Sequence, residues 1–255
     1  MLALLKFFAL SVKRDRLLIS LFLLIFISSA FSIFFGGNAI AEQTQMIVAY
    51  IASSSRIIIN LGMIVFIITH ITRLFYNKEI DFVLSKPISR KSIICAYTLG
   101  ISLLSLLIAL IPTALLIAFG SLIQNTFIWF ISFTFEIVIT TTFAFLTSLF
   151  FRSQVSAILA SFTFYIGARM MGFFYMSARY DYIYTGIDSL SKWLPQKIMY
   201  ITSVVLPRFD LYTQTNWLLY EIKSYENIKF IAVQAVMYII ILHFAAFYDI
   251  EKKEF

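Results

Sequence analysis

The sequence predicts an all-α integral membrane protein with six transmembrane helices, and three observations carry that expectation. Of its 255 residues, 61% are hydrophobic and 13% charged, whereas soluble domains hold roughly 45–50% and about 25%. The apolar residues gather into runs close to the roughly 20 needed to cross ~30 Å of hydrocarbon. Lys and Arg concentrate in alternate connecting segments, the positive-inside pattern of a multi-pass chain.

The first run, 17–35, follows Lys6 and the cluster Lys13-Arg14-Asp15-Arg16. A secretory signal would pair a shorter apolar stretch with a small-residue cleavage site. Despite Ser28-Ser29-Ala30, this run therefore reads as a retained first span. The second span is taken as 50–76, within a longer apolar stretch whose outer end is free to lie along the interface. The third, 93–119, contains Pro112, which removes a helical hydrogen bond and favours a kink. The fourth, 127–151, leads through Arg152-Ser153-Gln154 into the fifth, 155–176, and the sixth is 228–248.

With the N-terminus inside, twelve of the twenty basic residues face the cytoplasm: Lys6, Lys13, Arg14, Arg16, Arg73, Lys78, Lys86, Arg90, Lys91, Arg152, Lys252 and Lys253. The short loops between spans one and two, and between three and four, hold none. Both termini are then cytoplasmic. Trp129, Trp193 and Trp217 fall at or beyond the outer boundary, where an aromatic belt belongs. The long stretch 177–227 is rich in tyrosine and broken by Pro195 and Pro207. Ile198, Ile201 and Val205 recur at near-helical spacing, too short a segment to cross, so a re-entrant or interfacial helix is expected. It is either an outer cap or an outer gate, with Pro195, Leu206, Pro207, Phe209 and Asp210 as candidate gate residues.

Two charges fall inside spans. Glu136 in span four and Arg169 in span five sit at similar depths on neighbours joined by a tight turn. An isolated charge there costs at least ~2.5 kcal/mol, so a Glu136–Arg169 pair is expected, or both groups facing one hydrated cavity. The pair is either structural or part of a path for a polar substrate. Arg56 lies near the outer end of span two and is expected to snorkel outward.

Several classes are disfavoured. The net charge of +7 is scattered between apolar runs, so no nucleic acid partner is expected. The lone Cys95 permits no intramolecular disulfide. His70 and His243 lack neighbours at ligand spacing, so no metal is expected and both read as packing residues. Ser53-Ser54-Ser55 has no base to activate it, and small residues there suit close helix packing. None of the eight glycines precedes a lysine, so the chain has no P-loop and no ATPase site of its own.

Between spans two and three runs Tyr76-Asn77-Lys78-Glu79-Ile80-Asp81-Phe82-Val83-Leu84-Ser85-Lys86-Pro87-Ile88-Ser89-Arg90-Lys91. Ile80, Val83 and Leu84 share one helical face, acidic groups lead and Lys86 follows, as the helix dipole favours, and Pro87 ends the helix. The pattern predicts a short amphipathic helix and a rigid turn against the inner membrane face. Anchoring to anionic headgroups is the simple use of such a segment.

The stretch Leu84-Ser85-Lys86-Pro87-Ile88-Ser89-Arg90, preceded by an acidic helix, resembles the signature of type-2 ABC permeases, the ABC-2 family. Lys13-Arg14-Asp15-Arg16, Leu206-Pro207-Arg208-Phe209-Asp210 and the ending Ile250-Glu251-Lys252-Lys253-Glu254-Phe255 are also similar to relatives. The resemblance implies that residues 1–255 form one ABC-2 type transmembrane domain in a bacterial inner membrane. It implies an assembly with an ATP-binding subunit and a second permease, as a homodimer or homologous heterodimer, among membrane lipids. ATP and Mg would be bound by the partner subunit and no cofactor by this chain. The 78–91 segment would be a coupling helix, with Glu79, Asp81, Leu84, Ser85, Lys86, Pro87 and Arg90 docking the ATPase. The implied activity is export or extraction of a lipid-like, hydrophobic or peptide substrate. Alternatives are a haem- or cytochrome-maturation permease, a secondary transporter or channel, and, ranked last, a membrane-embedded hydrolase.

Overall fold

A computed structural model describes residues 2–38, 42–77, 90–185, 197–198, 201–202, 205–220 and 226–252. Most of the described residues are helical, with no strand among them. The helices are α1 (Leu2–Lys13), α2 (Arg16–Gly37), α3 (Gln43–Tyr76), α4 (Arg90–Ala118), α5 (Ile123–Phe150), α6 (Gln154–Thr185), the one-turn α7 (Asn216–Leu219) and α8 (Glu226–Lys252). Six of them, α2 to α6 and α8, are long and apolar enough to cross a membrane. This is a multi-pass membrane protein.

The chain begins with a helix that the span pattern does not announce. In α1, Leu4, Phe8 and Val12 are buried at i, i+4 and i+8, one helical face. Phe8 packs edge-on to Tyr97 of α4 and His70 of α3, each 5.6 Å away. Asp15 then starts α2. Its Oδ1 accepts from Leu17 N at 3.0 Å, an N-cap of the kind that contributes about 1 kcal/mol. Its Oδ2 pairs with Arg73 of α3 at 3.3 Å. One carboxylate thus separates two helices and pins the second to the end of the third.

Two helices form the centre. α3 packs against α2, α4, α5, α6 and α7, and α5 against α3, α4, α6, α7 and α8. The most apolar stretches of α3 and α5 are 56% and 61% buried, against 22% to 39% in the other four spans. Leu18, Leu21, Ile25, Ser29, Ser32 and Gly36 line the α2 face that meets α3. The opposite face of α2, with Ile19, Leu23, Phe26 and Phe34, is exposed, which suits hydrocarbon. Several hydroxyls in the core are satisfied locally: Thr141 and Thr142 each donate to a carbonyl three or four residues back. That device keeps polar side chains tolerable in lipid.

Connections are tight where they are described. α4 runs through Pro112 as one helix. It ends at Gly120, whose φ of +90° supplies the left-handed cap that glycine adopts most readily. Residues 151–153 turn the chain from α5 into α6, which stay together through a Thr147–Ser161 hydroxyl bond of 2.8 Å and a Phe143–Phe164 stack at 3.9 Å. α6 continues to Thr185, so the stretch taken as non-spanning from 177 begins as further turns of that helix.

The tryptophans form no belt among the described residues. Trp129 is fully buried against Phe133 at 4.8 Å and Trp217 is 7% exposed; Trp193 lies outside the described residues. The reason is local. Trp217 sits on α7, which folds back against α3 and α5, while Trp129 lies on the packed face of α5.

Candidate functional site

The bundle has two ends. Asp15, Arg73 and Arg152 mark the basic end, and residues 205–220 lie at the other. At this second end a group of side chains converges from α3, α5 and α6 on the 205–220 segment. Glu136 of α5 is its hub, with no exposed surface. Arg169 Nη1 of α6 lies 3.5 Å from Glu136 Oε2. Thr213 Oγ1 donates to the same oxygen at 2.7 Å. Asn60 Nδ2 of α3 and Tyr165 OH of α6 donate to Oε1 at 3.3 and 3.4 Å. Thr140 Oγ1 donates to Asn60 Oδ1 at 2.9 Å and so fixes the amide's orientation.

The arginines reach past the carboxylate to the 205–220 backbone. Arg169 donates to the carbonyls of Phe209 and, at 3.4 Å, Tyr212. Arg56 donates to the Thr213 carbonyl at 2.9 Å. Thr213 N donates to Ser132 Oγ of α5 at 3.1 Å. Every polar group of Thr213 is therefore held, its N–H by Ser132, its carbonyl by Arg56 and its hydroxyl by Glu136. Thr213 is also held at φ +49°, a left-handed conformation that is an outlier for a β-branched residue. Such strain persists only where the surroundings over-determine it, at a cost of about 1–3 kcal/mol.

Depth explains why Glu136 and Thr213 are so fully bonded. At 1.5 Å per residue, Glu136 lies about 21 Å from the end of α5 at Phe150, and Arg169 about 22 Å from the start of α6 at Gln154. Both lie within a ~30 Å hydrocarbon slab, displaced toward the 205–220 end. Arg56 turns inward to Thr213 rather than snorkelling away, because a backbone carbonyl is brought to it. Two guanidinium groups face one carboxylate.

The other candidate gate residues wrap around this hub. Phe209 has no exposed surface and meets Phe164, Tyr165 and Tyr212 at 6.2, 6.1 and 5.5 Å. Pro207 is buried. Leu206 Cδ1 approaches α6 at Gly167, where an added Cβ would sit 3.9 Å away. Asp210 Oδ2 pairs with Arg208 Nη2 at 2.8 Å, and the Arg208 guanidinium lies 4.6 Å from the centre of the Tyr175 ring. A Cβ on Gly172 would stand 2.6 Å from Asp210 Oδ2, so α6 admits this loop only where it lacks a side chain. Arg208 N donates to Gln234 of α8 at 3.3 Å, and Tyr212 OH to the Ile231 carbonyl at 3.0 Å.

Glu79, Asp81, Leu84, Ser85, Lys86 and Pro87 lie outside the described residues, as does Pro195. Arg90 begins α4. The structure brings Glu136, Arg169, Phe209 and Asp210 to one end of the bundle. Sequence reasoning misses Asn60, Tyr165, Ser132 and Thr213. Part of the signal is present, since Asn60 follows Arg56 by one turn and Tyr165 precedes Arg169 by one turn. Nothing in the spacing of Thr213 points inward. No known family model matches the chain, and no curated protein is significantly similar to it.

Proposed function

We propose that this chain is the membrane-spanning permease subunit of an ATP-driven transporter of the ABC-2 type. Its basic end faces the cytoplasm of a bacterial inner membrane, a separate ATP-binding subunit docks on residues 78–91, and a second permease completes the assembly. The ATP and Mg chemistry belongs to the docked subunit.

The observation that carries this reading is the continuity of α3. The segment resembling the ABC-2 signature follows directly on a central helix of 34 residues. The same helix supplies Arg56 and Asn60 to the buried cluster. From Arg73 to Arg56 is about 25 Å of unbroken helix. A push on residues 78–89 would be delivered to α3 and, through Arg56, to the Thr213 carbonyl. Closure of a docked ATPase then has a rigid route to the 205–220 segment, which acts as the gate. α3 and α5, which supply Arg56, Asn60 and Glu136, are each continuous across the hub, whereas many secondary transporters build their site on helices broken at mid-membrane.

Co-purification tests the reading. The tagged chain, expressed with its cognate ATPase, is expected to retain that subunit, and Leu84→Asp with Pro87→Ala to lose most of it without lowering the yield of the permease. Equal retention by both forms would contradict the docking assignment.

A further inference from the structure

We propose that the cavity between the start of α3 and residues Leu219 and Tyr220 is a binding site for a small organic cation, an ammonium group carried on an aromatic or alkyl body. The cavity measures about 390 Å³ and is lined by Glu42, Met46, Tyr50, Ser53, Leu219 and Tyr220, among others. Small-molecule sites run from roughly 300 to 1,000 Å³, mostly apolar with a few polar groups to fix orientation. This wall has that make-up.

The first argument is charge. Glu42 is the one charged side chain in the wall among the described residues. Its carboxylate has neither a hydrogen bond nor an ion pair among them. The ordinary role of a polar residue at this position is to cap the helix, and the Glu42 side chain makes no cap bond to α3. A cation supplies the missing counter-charge. An anion would meet a carboxylate and no base.

The second argument is the pair of rings. Tyr50 and Tyr220 are both exposed, and neither hydroxyl has a partner among the described residues. An aromatic face attracts a cation placed within about 6 Å of it, and the flexible Met46 beside them adapts to varied apolar shapes. Both tyrosines are held by contacts that leave their hydroxyls unused. Tyr220 N donates to the Asn216 carbonyl at 3.0 Å, and its own carbonyl accepts from Asn125 Nδ2 of α5 at 3.2 Å. The Tyr50 ring is braced by Phe35 of α2, 6.0 Å away. The wall is therefore preformed, which lowers the cost of binding.

Charge also decides the source of the cation. A zwitterionic lipid headgroup carries an ammonium too, but its phosphate would find no Lys or Arg among the described residues of this wall. The occupant is a free organic cation, and it bridges α3 to the end of the 205–220 segment. This inference needs only the chain itself and does not rest on the permease reading.

The test is equilibrium dialysis of radiolabelled benzyltrimethylammonium against the purified chain in dodecyl maltoside, with empty micelles as the blank. Saturable binding of one cation per chain is expected, undiminished by excess benzenesulfonate, which has the ring and the opposite charge. Glu42→Gln should weaken binding about fivefold, the weight of one exposed ion pair. Tyr50→Leu should weaken it about two- to fivefold and Tyr50→Phe should not, because the ring rather than the hydroxyl meets the cation. Both positions are exposed, so the melting temperature should hold in all three variants. Hydrogen exchange across 216–220 should slow when the probe binds.

Absence of saturable binding to the unaltered chain would overturn the assignment, as would binding that Glu42→Gln leaves unchanged. Unaltered exchange at 216–220 would place the bound probe elsewhere and reject this cavity. Displacement by glycerophosphocholine as effective as by unlabelled benzyltrimethylammonium would assign the cavity to a lipid headgroup and reject the free cation.

Discussion

Glu136 shows what a single buried charge demands of its neighbours. Its two oxygens take a guanidinium, two hydroxyls and an amide from three different elements. Removing a partner is therefore expected to cost more than removing the pair, because an orphaned charge in a buried site is the expensive state. Glu136→Gln leaves Arg56 and Arg169 without a counter-charge, whereas Glu136→Gln with Arg169→Gln leaves one guanidinium facing a carbonyl. The single variant should show the lower melting temperature in detergent and the lower yield, with a coupling energy of about 1–3 kcal/mol in a double-mutant cycle. Additive losses would mean that the 3.5 Å separation carries no net interaction.

At the scale of elements, the segment 205–220 is the least conventional part of the bundle. It is loop and single-turn helix, yet Phe209, Tyr212 and Thr213 have no exposed surface. Non-helical backbone at membrane depth is tolerated only when buried in protein with its polar groups satisfied, and here α3, α5, α6 and α8 each satisfy part of it. Space is as restrictive as bonding. Gly172→Ala would drive a methyl group into Asp210 and should raise hydrogen exchange across 206–213 by an order of magnitude or more, with α3 and α5 unchanged. Unaltered protection there would show that α6 does not hold the loop.

These elements also mark where the sequence is legible. The six spans are readable because membrane insertion writes itself as long apolar runs, and most of their ends fall within four residues of those the runs predict, while α3 starts seven residues earlier and α6 ends nine later. Helix α1 is not, because Leu4, Phe8 and Val12 merge into the apolar composition around them and the stop at Asp15 is one carboxylate. The proximity of Glu136 and Arg169 follows from depth and a short turn. The role of Thr213 does not, since it arises from a loop folding back over some eighty residues of intervening chain to reach Ser132. The inward turn of Arg56 is hidden for the same reason: its acceptor belongs to that loop.

Across the whole molecule, α3 joins the two ends. Its start lies near the captured loop, its end carries Arg73, paired with the Asp15 cap, and beyond it comes the stretch that resembles a motor-docking signature. The helix is continuous from one end to the other, so a displacement at one end has an unbroken hydrogen-bonded path to the other. The proposed mechanism depends on residues 78–91 lying on the cytoplasmic side and being covered by a second protein. The most direct measurement is thiol labelling of Ser85→Cys in a Cys95→Ser background, in intact cells and in inside-out vesicles with and without the ATPase. The account predicts no reaction with a membrane-impermeant reagent in intact cells, ready reaction in vesicles, and protection when the ATPase is bound. Labelling of the introduced thiol from outside intact cells, or equal labelling with and without the ATPase, would contradict it.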